Sequence, residues 1–139
     1  VTILMAATSE FITMAKRGRV HLFGDGKRTL NPIHGSDLAK VIVDNIHLPR
    51  DEIDVGGSAL LSQNDIARLA FNAINQPVKI VHIPDWIRSA VLWGLRAFTP
   101  STFYGPLEFF MTTMVTNMDA PQYGECHLKD YFKEKAKVS

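Results

Sequence analysis

Between Pro77 and Pro84 stands a run, Val78-Lys79-Ile80-Val81-His82-Ile83, in which four of six side chains branch at Cβ. It follows directly on Ile66, Leu69, Ala70, Ala73 and Ile74, which recur at helical spacing behind Ser62-Gln63-Asn64-Asp65. Branched side chains suit a pleated, half-buried strand, and a proline at each end stops the strand from spreading. The helix start reads as a capping box with Asp65 in place of the usual Glu. A helix that feeds a strand across a proline excludes an all-helical or all-β chain and sets the fold class as α/β.

The same alternation runs through the N-terminal part. Phe11, Ile12, Met14 and Ala15 share a helical face that ends at Gly18. Val20-His21-Leu22-Phe23 reads as a strand, Gly24-Asp25-Gly26 as a tight turn, and residues 29–33 as the returning strand of a hairpin, with Pro32 marking an edge or a bulge. Ser36 and Asp37 are placed to cap a helix whose Leu38, Ala39, Val41, Ile42, Val43 and Ile46 would pack against the sheet; Asp37 reads as a cap rather than an acid. Residues 52–55 alternate ahead of Gly56-Gly57 and predict another short strand.

After Pro84 the pattern turns helical. Asp85 would cap a helix that points Trp86, Ile87, Ala90, Val91 and Leu95 inward and stops at Thr99-Pro100. A second stretch from about Pro106 carries Leu107, Phe110, Met111, Met114 and Val115, completing a helical hairpin, and residues 128–135 predict a last charged helix with a fraying end. The expected organisation is one partial domain, α/β over residues 1–84 and mainly helical over 85–139, with no internal repeat.

Charge and composition narrow the function classes. Fifteen Lys and Arg against fourteen Asp and Glu leave no field that would draw nucleic acid or an anionic membrane. The single cysteine, Cys126, forms no internal disulfide and fits the reducing cytoplasm. The apolar start, residues 1–7, is too short to span a bilayer, and the apolar region 87–118 is broken by Arg88, Arg96, Pro100, Pro106 and Glu108. Position 1 is Val rather than Met, from which a processed protein, a designed fragment or a proteolytic product is expected. His21, His34, His47, His82 and His127 form no close pair with a carboxylate at ligand spacing, so no metal is expected, and no Gly-x-Ser-x-Gly elbow is present.

Gly24-Asp25-Gly26, then residues 31–39 (Asn-Pro-Ile-His-Gly-Ser-Asp-Leu-Ala), Asp54-Val55-Gly56-Gly57, the Leu61-Ser62 helix entry and Val78 through Pro84 stand in an order that resembles the C-terminal, substrate-side part of atypical and extended short-chain dehydrogenase/reductases. The resemblance runs from about Phe11 to Phe132, and the stretches Tyr104-Gly105-Pro106 and Ala120-Pro121-Gln122-Tyr123-Gly124 are similar to the NmrA-like, NAD(P)-binding branch. It implies the C-terminal portion of a Rossmann-type fold, with short strands alternating with helices and a C-terminal helical hairpin. It also implies NAD or NADP as the cofactor of the full-length protein.

The dinucleotide fingerprint itself, a glycine-rich turn between a strand and a helix, does not occur, so no cofactor-binding residue is assigned and none is expected to bind by this chain alone. The family's catalytic tyrosine and lysine lie one helical turn apart. Only Tyr131 and Lys135 have that spacing, and they read as a solvated pair on the last helix, so no catalytic residue is assigned. Where the epimerase branch has an arginine that grips a nucleotide-sugar diphosphate, this sequence has Leu30; Lys27 and Arg28 lie nearby.

Asn31, His34, Phe103 and Tyr104 are the candidate substrate-binding residues. His34 sits where a strand end would face the ligand crevice, with a turn-fixing hydrogen bond as the competing role. Phe103 and Tyr104 belong to an aromatic, Met-rich stretch that can line an apolar pocket, a partner surface or plain core. The function expected is that of a substrate-side fragment of an NAD(P)-dependent oxidoreductase, inactive alone. The alternative is a stand-alone regulatory or protein-interaction module of NmrA-like type. In a truncated chain part of that aromatic, Met-rich stretch would have faced the absent half, and its exposure is expected to drive self-association.

Overall fold

The structure is a computed structural model that describes residues 5–49, 53–98 and 119–138. A 3-10 turn at Met5–Thr8 leads into α1 (Ser9–Lys16), followed by β1 (Val20–Phe23), β2 (Thr29–Leu30), α2 (Gly35–Asn45), β3 (Leu61–Ser62), α3 (Gln63–Ala73), β4 (Ile80–Ile83), α4 (Asp85–Phe98) and α5 (Leu128–Val138). The second half of the expected hairpin, and with it Phe103 and Tyr104, lies outside the described residues.

Strand pairing corrects the hairpin. β1 runs parallel to β4, Val20 opposite Ile80 and Phe23 opposite Ile83, and β2 pairs antiparallel with β3 instead. Gly24 and Gly26 do turn the chain, at φ of 73° and 67°. The loop does not fold back because its carbonyls are taken elsewhere: Asn64 N–H donates to Gly26, the Asn64 carboxamide to Asp25, and Gln63 N–H to Arg28. The β1 backbone is thereby left to β4. The strand expected over 52–55 is also corrected, since residues 53–55 carry no ladder and Gly56 makes an isolated bridge to Gln122.

Among the described residues the core is one cluster in which α1, α3 and α5 pack together over β1. Phe11, Ala15, Val20, Leu22, Ile66, Ala70, Phe71 and Phe132 are all buried within it. The α3 capping box forms as expected, with Asp65 N–H donating to Ser62 Oγ at 3.2 Å and the Ser62 N–H donating back to Asp65 Oδ2. The last helix runs to Val138, and Leu128 and Phe132 in its first two turns are buried against α1 and α3 while Val138 is exposed. The ends of α1, α3 and α5 share a shallow groove of about 600 Å³, where Lys16, Lys133 and Lys137 offset the negative ends of the helix dipoles.

Two apolar faces point the other way from the expectation. On α2 the one buried residue is Asp37, while Ile42, Val43 and Ile46 are exposed. On α4 the buried residue is Leu92, with Ile87 and Leu95 half-buried and Trp86, Ala90 and Val91 exposed. Both helices carry apolar residues on more than one face, and periodicity alone does not choose between faces. Asp85 is the first residue of α4 and lies 3.6 Å from Arg88 Nε, while the Pro84 carbonyl accepts from Ile87 N–H.

Candidate functional site

The motif that carries the resemblance, residues 31–37, is built into a clamp. Asn31 is buried, its Nδ2 donating to the Ala120 carbonyl at 2.7 Å and its Oδ1 accepting from Ala120 N–H at 3.1 Å. Both ends of the carboxamide are used on one residue. Gly56 N–H donates to Pro121, and Tyr123 N–H returns a bond to Gly56. Asp37, also buried, accepts from the N–H groups of Glu125 and Cys126 through Oδ2, at 3.2 and 3.0 Å. Ser58 Oγ donates to the Cys126 carbonyl and lies 3.2 Å from His127 Nδ1. Residues 120–127 are therefore tied down along their length by side chains and glycines of the motif region.

Glycines make this closeness possible. A Cβ at Gly56 would collide with the Asn31 carboxamide, one at Gly57 with the Pro32 carbonyl, and one at Gly124 with the Asp37 carboxylate. The bond from Cys126 N–H, first among the causes, holds the Asp37 carboxyl below its ordinary value, with further lowering from Glu125 N–H and Lys40. Asp37 is thus not the cap of α2. That place belongs to His34, whose Nδ1 accepts from Ser36 N–H and lies 2.8 Å from Ser36 Oγ. Asp37 falls three residues after His34, where a carboxylate ordinarily reaches back to its own helix start, so the sequence gives no sign of the distant donors.

His34 meets Tyr131 edge-on, with ring centroids 5.9 Å apart, and the Lys135 ammonium stands 5.8 Å above the Tyr131 ring. Tyr131 is half-buried against the core rather than solvated as expected, and Lys135 engages its ring face.

A second polar group, whose members the sequence names separately but does not bring together, lies at the carboxyl ends of the parallel strands β1 and β4. There the Gly24-Asp25-Gly26 loop, the start of α3, His82 and Asp85 come together. His82 Nε2 is 3.0 Å from Asn64 Oδ1, and Asn64 in turn holds the loop through Asp25 and Gly26. Lys27 N–H, the leading cause, holds the exposed Asp25 carboxyl below its ordinary value, and the Lys27 ammonium is 3.8 Å away. Ligands of open α/β sheets approach the carboxyl ends of the strands. A polar residue next to the end of a strand, such as His82 before Ile83-Pro84, was the signal that could have found this group.

The first N–H groups of α3 are not free to hold an anion, since Gln63, Asn64 and Asp65 donate to Arg28, Gly26 and Ser62. Leu30, at the position of the epimerase arginine, is buried in the core. Among the described residues no group of three His, Cys, Asp or Glu side chains could hold a metal, and no helix is long and apolar enough to cross a membrane.

No protein-family model and no curated protein matches the sequence. Solved structures do. A GDP-mannoheptose C4 reductase from Campylobacter jejuni with NADP bound is similar over 97% of this chain and 44% of its own, at a TM-score of 0.53 and 15% identity. The fold is Rossmann-type α/β. A GDP-6-OMe-4-keto-L-xylo-heptose reductase from the same organism is similar over 96% of this chain and 42% of its own, at a TM-score of 0.50 and 18% identity. The chain thus spans less than half the length of these reductases.

Proposed function

We propose that this chain is the substrate-side portion of an NAD(P)-dependent oxidoreductase of the short-chain dehydrogenase/reductase type, catalytically silent alone and acting in the cytoplasm on a small molecule. The observation that carries the reading is the parallel β1–β4 pair with Asp25, Asn64, His82 and Asp85 at its carboxyl ends. The fold likeness to an NADP-bound reductase along nearly the whole chain supports it. The dinucleotide and the proton-transferring tyrosine would come from segments outside this chain, because here the α3 start is occupied by loop carbonyls and Tyr131 is engaged by His34 and Lys135.

Carboxylates and a carboxamide accept hydrogen bonds from hydroxyl groups, so the rim suits a hydroxylated substrate. With Leu30 buried, a diphosphate would find no guanidinium grip at that position. This favours the atypical, NmrA-like branch. In a longer protein carrying this segment, His82→Ala and Asn64→Ala are expected to raise KM for the substrate and leave dinucleotide affinity unchanged. Weakened dinucleotide binding with an unaltered KM would overturn the placement. A second reading, a regulatory interaction module, draws on the exposed tryptophans of α4.

A further inference from the structure

Arg88 closes the first turn of α4 with its side chain 19% exposed, and its Nε is buried without a hydrogen-bond partner. Its ion pair is with Asp85, whose Oδ1 lies 3.6 Å from Nε, too far for a hydrogen bond. The carbonyls of Ile83 and Pro84, just ahead of the helix, are already engaged by Gly24 N–H and Ile87 N–H. A guanidinium always carries its charge and has donors alone, so a buried N–H on it calls for an acceptor.

The position of Arg88 says where that acceptor would come from. The Asp85 oxygen that faces Nε is 4.0 Å from where a Cβ of Gly24 would stand, which sets Arg88 beside the Gly24-Asp25-Gly26 loop. Asn64 and His82 complete the same polar group at the carboxyl ends of β1 and β4. The charges here limit what a ligand can bring: Asp25 stands 3.8 Å from Lys27, and Asp85 already offsets Arg88. A doubly charged phosphate would leave the group negative. A carboxylate, with one charge, can take the place of Asp85, whose side chain is 57% exposed and can turn to solvent.

We propose that Arg88 grips the carboxylate of a hydroxy acid in place of Asp85, while Asn64 and His82 take its hydroxyl groups. The inference rests on the substrate-side reading and adds an acid group to the substrate. The planar fork of a guanidinium matches the two oxygens of a carboxylate, which a lysine at this position would not.

The test is NMR of the isotope-labelled 139-residue chain, following Arg88 Nε–H and the Asn64 and His82 side chains. Sodium gluconate, sorbitol and inorganic phosphate are added at constant ionic strength. Gluconate should shift Arg88 Nε–H saturably, and sorbitol, which has the hydroxyls without the acid, should shift Asn64 and His82 alone. Asp85→Asn should tighten gluconate binding about threefold by removing the competing carboxylate. Arg88→Lys should weaken it about tenfold. Arg88→Gln should reduce gluconate to the effect of sorbitol without lowering the melting temperature of the ligand-free chain, which a structural arginine would lower. Phosphate binding more tightly than gluconate, or gluconate binding unaltered by Arg88→Gln, would overturn the proposal. Shifts at Asn64 and His82 with Arg88 untouched by gluconate would overturn it and keep the substrate-side reading; no shift at any of the three would overturn both.

Discussion

Asp37 does at a distance what its sequence neighbourhood suggests it does locally. Its carboxylate closes the clamp on Glu125 and Cys126, and those donors lower its proton affinity in the folded state. A lowered folded-state value means that the stabilisation is fully present above the ordinary carboxylate value of about 3.9 and is lost as pH falls through the lower, folded one. Asp37→Asn is therefore expected to cost about 2 kcal/mol at neutral pH, as for hydrogen bonds to a charged group, with the gap closing toward pH 3. Urea titrations at the two pH values check this; a gap independent of pH would point to packing instead. Gly124→Ala should also destabilise, because Gly124 has φ of 84° and its added methyl would strike the Asp37 carboxylate. Residue types here were legible and their partners were not. Asn31, His34 and Asp37 stood out in the sequence, but Ala120, Tyr131 and Cys126 are brought to them by the fold alone.

Helices were readable element by element because their signals are local. Ser62 and Asp65 cap α3, and Ser62→Ala should cost about 1 kcal/mol in the same titration. Strand pairing was not readable: Gly24-Asp25-Gly26 resembles a hairpin turn until the start of α3 takes up its carbonyls, and the true partner of β1 lies beyond two intervening helices. The helix at α5 was readable, but its packing was not, for a related reason. Its charged sequence hides Leu128 and Phe132, whose value depends on the slot between α1 and α3. Phe132→Ala is accordingly expected to cost about 3–5 kcal/mol, as a fully buried phenylalanine does, whereas a frayed helix would tolerate it within about 0.5 kcal/mol.

For the whole molecule, the α/β alternation was legible from the start, and the Rossmann-type likeness to the two reductases agrees with it. The site was less so, since the residues at the strand ends are joined by the parallel pairing that the sequence concealed. The central claim is that this chain presents a substrate-side surface but holds no dinucleotide by itself. Calorimetric titration of the 139-residue chain with NADH and with NADPH tests it most directly. No saturable heat is expected up to about 1 mM of either, weaker than about 4 kcal/mol of binding. Saturable binding in the micromolar range by this chain alone would contradict it.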